Sequence, residues 1–392
     1  MKTHRLALFL VLCAALTLSA ADSSLPPGVR ELRIGDAAPD FKLPGIDGKT
    51  HTLADFKAAP VLMVVFLSNH CPYSHATEDR LIPFVTEAKK RGLAVVSINP
   101  NHPDAVRIDE LGYSKYNDSF DEMKLYAKEK GFTFPYLYDG DTQATAKAYG
   151  CLATPHVFLF DRERKLRYKG RYDDSRFADA ATVTSHDARN AVEALLAGRP
   201  VPVELTPVMG CSTKWNEKKA EVAQATEKWE QTPVTVEKID AAGIAALARN
   251  DTKKLRVINV WATWCAPCVK EFPGLVSIAR RLGNRDFELI TVSMDDPKDD
   301  AKVKAFLEKQ HVALPNKTRR SVEAEGRKTN NYLYTGASSD ALIKALDPAW
   351  LGPLPHTVVM APGGKIVFRH TGELDSTSLM KRLIEELGPY YK

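Results

Sequence analysis

Short continuous apolar runs recur along the chain, and between them apolar positions fall three and four residues apart. The runs VLMVVF (61–66), LAVVSINP (93–100), LRVINV (255–260) and DFELITVSMD (286–295) have the length and β-branched content of strands buried on both faces. Leu81, Phe84, Val85 and Ala88 follow the first run and mark one face of a helix that Gly92 ends. Val269, Phe272, Leu275, Val276, Ile278 and Leu282 do the same after the third, with a stop near Gly283. HVFLFD (156–161) with KLRYKG (165–170), and HTVVMA (356–361) with KIVFRH (365–370), predict two strand–turn–strand units. Residues 298–310 and 376–387 predict further helices.

The same order of elements therefore occurs twice. Each final hairpin follows a Pro-His pair, and its proline stands 84 residues after Cys71 (Pro155) or 90 after Cys265 (Pro355). This is duplication of a whole domain, with a period too long for a solenoid. The predicted units are a first domain over 30–198, a connector over 199–233 and a second domain over 234–392. The connector begins Pro-rich, contains Gly210-Cys211-Ser212 and continues as a charged stretch able to form a helix. Residues 317–350 are expected to be an irregular insertion whose Tyr332, Tyr334 and Trp350 either line a cleft or pack over the sheet, packing being the favoured reading.

Residues 1–21 follow another pattern: a basic start ending at Arg5, an apolar run from Leu6 to Leu18, then Ser19, Ala20 and Ala21. The run is shorter than the roughly 20 residues that span a bilayer. It predicts a cleaved signal peptide and an exported protein, periplasmic or secreted.

Composition narrows the class. A length of 392 residues suits two domains, and 44% hydrophobic with 26% charged residues excludes a disordered chain or a polytopic membrane protein. The net charge is +5, and without Lys2 and Arg5 of the leader 52 basic face 49 acidic residues, too even a balance to indicate nucleic-acid binding. Six cysteines are too few for a disulfide-built scaffold. Cys13 leaves with the leader, so the mature chain carries Cys71, Cys151, Cys211, Cys265 and Cys268 where disulfides persist.

Cys265 and Cys268 fall on the first turn of a helix that a buried strand feeds directly. Unpaired N–H groups at a helix start stabilise a thiolate, so Cys265 is the expected attacker and Cys268 the residue that resolves the mixed disulfide. A zinc site needs a second pair of similar spacing, which the chain lacks, and Gly48-Lys49-Thr50 lacks the upstream glycine of a phosphate-binding loop. No metal or cofactor is expected. Cys71 also begins a helix, beside His70 and one turn before His75, and either histidine when protonated favours its thiolate. A lone thiol needs another to be turned over, and the candidates are Cys211, on a segment expected to be mobile, and Cys151, four residues before Pro155. Cys151 also suits a small buried core residue. His70, Cys71 and His75 as metal ligands are a further alternative.

At WATWCAPC followed by VKEFP the sequence resembles the exported thiol-disulfide oxidoreductases of the TlpA/ResA type, within the thioredoxin superfamily, matching at Trp264, Cys265, Pro267, Cys268, Glu271 and Pro273 over roughly 234–392. Residues 31–216 resemble the AhpC/TSA (redoxin) branch through GDAAPDF (35–41), Asp47-Gly48-Lys49, NHCPY (69–73) and GCSTKW (210–215). The resemblance implies an α/β fold of two thioredoxin-like domains, each a central mixed sheet flanked by helices, with a cis-proline at Pro355 facing the dithiol and its counterpart at Pro155. It leaves Glu271 either tuning the dithiol or capping and solubilising its helix. Ser74 replaces the second cysteine of a CxxC at Cys71, and the peroxidase pattern is partly met, by Ser68 but not at Val64.

The function expected is an exported thiol-disulfide oxidoreductase that works through Cys265 and Cys268 and is coupled to a monothiol domain at Cys71. Its partners are protein thiols and disulfides and an unidentified electron donor in the membrane, with no nucleic acid. Two alternatives stay open. One is a thiol peroxidase with a built-in thioredoxin reductant, for which peroxide is a further partner. The other is a first domain that only binds a client or a metal.

Overall fold

The computed structural model describes residues 25–391, so the leader lies outside the described residues. Each half is built on one sheet. In the first, the strands lie in the order Tyr136–Tyr138, Leu93–Asn99, Val61–Phe66, His156–Phe160, Leu166–Gly170. The first three are parallel and the last two antiparallel, a mixed sheet. Val61, Met63 and Val65 enter one apolar cluster while Leu62, Val64 and Phe66 enter another on the opposite face. That alternation, with both faces covered, is why the run is apolar throughout.

The second half repeats the plan and adds an edge strand, in the order Glu237–Ile239, Asn331–Tyr334, Phe287–Ser293, Leu255–Trp261, His356–Met360, Ile366–Thr371. The region expected to be irregular, 317–350, is regular instead. It holds most of the helix Asn316–Ala324, the strand Asn331–Tyr334 inside the sheet, and the helix Ser339–Leu346. Tyr332, Tyr334 and Trp350 are all core residues. The strand escapes the apolar pattern because its residues, NYLY, hold one aliphatic side chain, and tyrosines bury their rings while Tyr332 and Tyr334 hydroxyls donate to the carbonyls of Thr329 and Ser338.

In each domain the central strand delivers a cysteine to the N-cap of a helix, Cys71 to Pro72–Ala88 and Cys265 to Ala266–Arg281. A proline in the first turn suits a position whose N–H has no helical acceptor. Pro155 and Pro355 both follow cis peptide bonds.

The connector is not mobile where Cys211 sits. Cys211–Ser212 pairs antiparallel with Ala153–Thr154, and Thr213, Lys214 and Asn216 donate backbone N–H bonds to Leu152, Asn101 and Asn216's partner Gln143. Trp215 is buried in the first domain's core. A charged helix, Lys219–Glu230, then leads to the second domain.

The domains meet at the far end of the Ala266–Arg281 helix. Arg281 donates to the Ser114 carbonyl at 2.8 Å and Arg285 to that of Gly112 at 2.6 Å, with the Arg285 guanidinium 4.0 Å from the centre of the Tyr113 ring.

Candidate functional site: two cysteine centres

In the second domain the sulfurs of Cys265 and Cys268 lie at bonding distance, 1.98 Å. Cys268 is fully buried, Cys265 nearly so, and Trp264 beside them is 66% exposed. A cleft of about 600 Å³ opens in front of Cys265, lined by Trp264, Pro267, Met294, Ile343, Trp350 and Leu354 among others. Leu354 leads into Pro355, so the loop carrying that proline forms part of the wall. Glu271 neither caps nor solubilises the helix. It is buried, and its carboxylate accepts from Asn259 Nδ2 at 2.8 Å and from the Leu374 N–H at 2.9 Å. Burial raises its pKa against those two hydrogen bonds.

In the first domain Cys71 is completely buried, and its Sγ lies 2.7 Å from Cys211 Sγ and 3.1 Å from the carbonyl of Thr154, the residue before Pro155. Burial alone pushes the Cys71 thiol up. Cys211, the charge on His70 and the Ser74 N–H outweigh it and bring the pKa down to about 6. The shared hydrogen bond, then burial, drive Cys211 the other way, so of the two sulfurs Cys71 is the one favoured as thiolate. Cys211 is half-buried and is the more accessible sulfur of the two.

The charge on His70 has a cause that its sequence neighbours do not reveal. Its Nδ1 lies 2.6 Å from Asp118, a carboxylate that also accepts from the Asn69 N–H (2.7 Å), Asn99 Nδ2 (3.1 Å) and Asn101 Nδ2 (2.8 Å). Burial disfavours the imidazolium, but Asp118 overrides it and raises the pKa of His70. His75, the other expected support, behaves oppositely. Burial, with Lys130 nearby, lowers its pKa to about 4, and its nitrogens lie 2.8 Å from the Asn69 carbonyl and 3.1 Å from that of Pro389. With both nitrogens engaged, His75 does not join His70 and Cys71 in a metal site.

Pro389 belongs to a tail from the second domain that lies on the first domain's cysteine site. Tyr391 packs between Tyr73 and Tyr113, with ring centres 5.2 and 5.0 Å away, and Tyr390 donates to Asp79. Cys151 stands apart from this chemistry. It is buried in the core, its Sγ is 3.6 Å from Thr213 Oγ1, and burial pushes its pKa up to about 12. It is a packing residue.

The structure thus brings together Cys71, His70, Cys211 and the loop of Pro155, and separately Trp264, Cys265, Pro267, Cys268 and the loop of Pro355. Asp118, Asn99, Asn101 and the tail were not legible as site residues. One further position is fixed by close approach: a Cβ on Gly210 would strike the Thr154 carbonyl. Gly210→Val is expected to push the Cys211 strand off its partner at a cost of about 1–3 kcal/mol, the scale of overpacking. A lower denaturant midpoint and slower Cys71–Cys211 disulfide formation check it.

These features define a protein of two thioredoxin-like domains, each presenting cysteine at a helix start. The AhpC/TSA family pattern matches residues 34–169 and again 235–369, more than half of the chain, and the chain belongs to that family. Among curated proteins it is 27% identical over 138 residues to the thiol-disulfide oxidoreductase ResA of Geobacillus thermodenitrificans (34% of this chain, 67% of that protein). It is 26% identical over 167 residues to ResA of Geobacillus kaustophilus (42% and 83%). The match to ResA of Bacillus subtilis spans 55% of that protein. Among solved structures, a hypothetical protein, SMc02350, from Sinorhizobium meliloti 1021 is 40% identical with a TM-score of 0.43, covering 47% of this chain and 96% of the other.

Proposed function

We propose that this thiol-disulfide oxidoreductase is exported and exchanges disulfides with protein clients through Cys265 and Cys268. The observation that carries the reading is the pair of sulfurs at bonding distance on a helix N-cap, opening on an apolar cleft. Cys265 is the sulfur on the cleft and forms the mixed disulfide; Cys268, shielded beneath it, closes the ring and releases the client. The ResA relatives, named as thiol-disulfide oxidoreductases, support the chemistry, and the basic, apolar and small-residue order of residues 1–21 supports export. Among the described residues no helix is long and apolar enough to cross a membrane. A redox titration of the Cys265–Cys268 pair against a defined thiol buffer tests the reading. In a Cys71→Ser background, where the Cys71–Cys211 pair cannot form, a single two-electron transition that vanishes on adding Cys268→Ser is expected, and no transition in the Cys71→Ser chain rejects it.

In the first domain the same reasoning makes Cys71 the nucleophile and Cys211 its resolving partner. The complete burial of Cys71 favours a small oxidant such as a peroxide at that sulfur. The thiolate attacks one peroxide oxygen, the O–O bond breaks and the other oxygen leaves as hydroxide or alkoxide that takes up a proton, giving a sulfenic acid. The Cys211 thiol then condenses with it, releasing water and leaving a Cys71–Cys211 disulfide. Peroxide-dependent consumption of a dithiol reductant, lost in Cys71→Ser, is the expected result.

Coupling between the domains takes a particular form. The helix that Cys265 caps has 16 residues, about 24 Å at 1.5 Å per residue, and its opposite end docks on the first domain. That geometry supports electron transfer between molecules rather than within one. The rate per molecule of first-domain reduction by the reduced second domain is expected to double when protein concentration doubles; a rate independent of concentration rejects this route.

A further inference from the structure

A cavity of about 780 Å³ lies where the first domain, the connector and the second domain meet, remote from the Cys265 end of its helix. Its walls come from the loop of Arg107–Asp109, the Lys219–Glu230 helix with the turn after it, and second-domain residues around Arg280 and 312–319. Five cationic side chains line it, against one carboxylate, that of Asp109. That carboxylate is already committed: Arg107 grips it through Nε and Nη2 at 3.0 and 2.9 Å, and Asn284 Nδ2 donates to it at 2.9 Å. Lys228, Arg280, Arg319 and Lys328 remain, and none forms an ion pair with a carboxylate among the described residues. Arg319 donates to the neutral Asn316.

Arg280 is the fixed member of this group. Its guanidinium lies over the Trp229 ring, 5.1 Å from the centre, and both residues line the cavity. The indole Nε1 of Trp229 is itself buried and has no acceptor. Buried donors normally have partners, and one without calls for an occupant that brings an acceptor. Between the charges the lining is apolar, with Ile108, Val222, Val312 and Leu314.

We propose that this cavity binds a small organic anion, a carboxylate or phosphate carried on an apolar body. The acidic group meets Arg280 and the Trp229 N–H, and the body lies along Val312 and Leu314. The planar fork of arginine matches both kinds of acid by paired hydrogen bonds, and a volume within about 300–1,000 Å³ suits a ligand of drug size. Because the walls come from three segments, the ligand also ties the two domains together.

Calorimetric titration of the full chain with octanoate, octyl phosphate, octanol and inorganic phosphate tests it. At least one of the two charged amphiphiles is expected to bind at one site per chain, and to bind at least tenfold tighter than octanol or inorganic phosphate. Which of them binds tighter assigns the acid group. Arg280→Gln is expected to weaken that binding at least tenfold and Trp229→Phe, which keeps the ring and removes the donor, severalfold. Lys328→Gln, on the exposed rim, gives a second measure that does not depend on core packing, with a smaller loss expected. Equal binding of octanol, binding at many equivalent sites, or affinity unchanged in both Arg280→Gln and Lys328→Gln overturns the proposal.

Discussion

A chain with Cys265→Ser is expected to reduce no protein disulfide above the uncatalysed background, while Cys268→Ser still attacks once and accumulates as a covalent adduct with its client. The asymmetry follows from access. Cys265 faces the cleft beside the exposed Trp264, whereas Cys268 is fully buried beneath it. Removing the first sulfur removes the only one of the pair that a client can reach, and removing the second removes the means of release. Non-reducing electrophoresis with a disulfide-bonded client distinguishes the two variants. Adducts that form equally in both would reverse the assigned roles.

The second large effect is expected at a residue with no sulfur. Asp118 is completely buried and receives hydrogen bonds from four donors, among them His70. A carboxylate offers acceptors alone; asparagine would turn N–H groups toward donors already present. Asp118→Asn also leaves the imidazolium of His70 without its counter-charge, and breaking a buried pair in this way costs about 3–5 kcal/mol. His70 then loses its proton at lower pH, and the thiolate of Cys71 loses a neighbouring positive charge. The ultraviolet absorbance of the Cys71 thiolate in the reduced, unaltered chain is expected to rise with pH around a midpoint near 6. In the variant that midpoint moves up. The same shift appears in stability. A thiol whose folded pKa is depressed adds stability that is complete above its unfolded value of about 8.5 and is lost as pH falls through about 6. That increment shrinks in Asp118→Asn, and urea titrations of the reduced protein at pH 6 and pH 9 measure it.

What could be read from the amino-acid order depended on how local the physics was. Val61–Phe66 and Leu255–Trp261 are buried on both faces, so every position is constrained and the strands announce themselves. Asn331–Tyr334 and Tyr136–Tyr138 use tyrosines, which serve core and polar surface alike, and they carry no comparable signal. The second domain's dithiol is complete within four consecutive residues and was legible in full. The first domain's site is assembled from distant parts: Asp118 lies 48 positions from His70, and Cys211 lies 140 from Cys71. Helical spacing correctly put His75 near Cys71, yet spacing says nothing of whether a carboxylate waits beside each imidazole. His70 has one and His75 is offered carbonyls, so the pKa of one is raised and that of the other lowered. Low apolar content marked the connector as loose, but Trp215, buried Thr213 and Lys214, and the paired strand anchor it to the first domain.

The tail on the first domain gives the molecule an order of maturation. Pro389 meets His75 across 314 positions of sequence, so during synthesis the first domain can fold long before that contact exists. Throughout that interval Tyr73 and Tyr113 lack the Tyr391 ring that later fills the space between them. Until the second domain has been made, the nascent first domain therefore carries its thiol site without the tail that covers it in the complete chain.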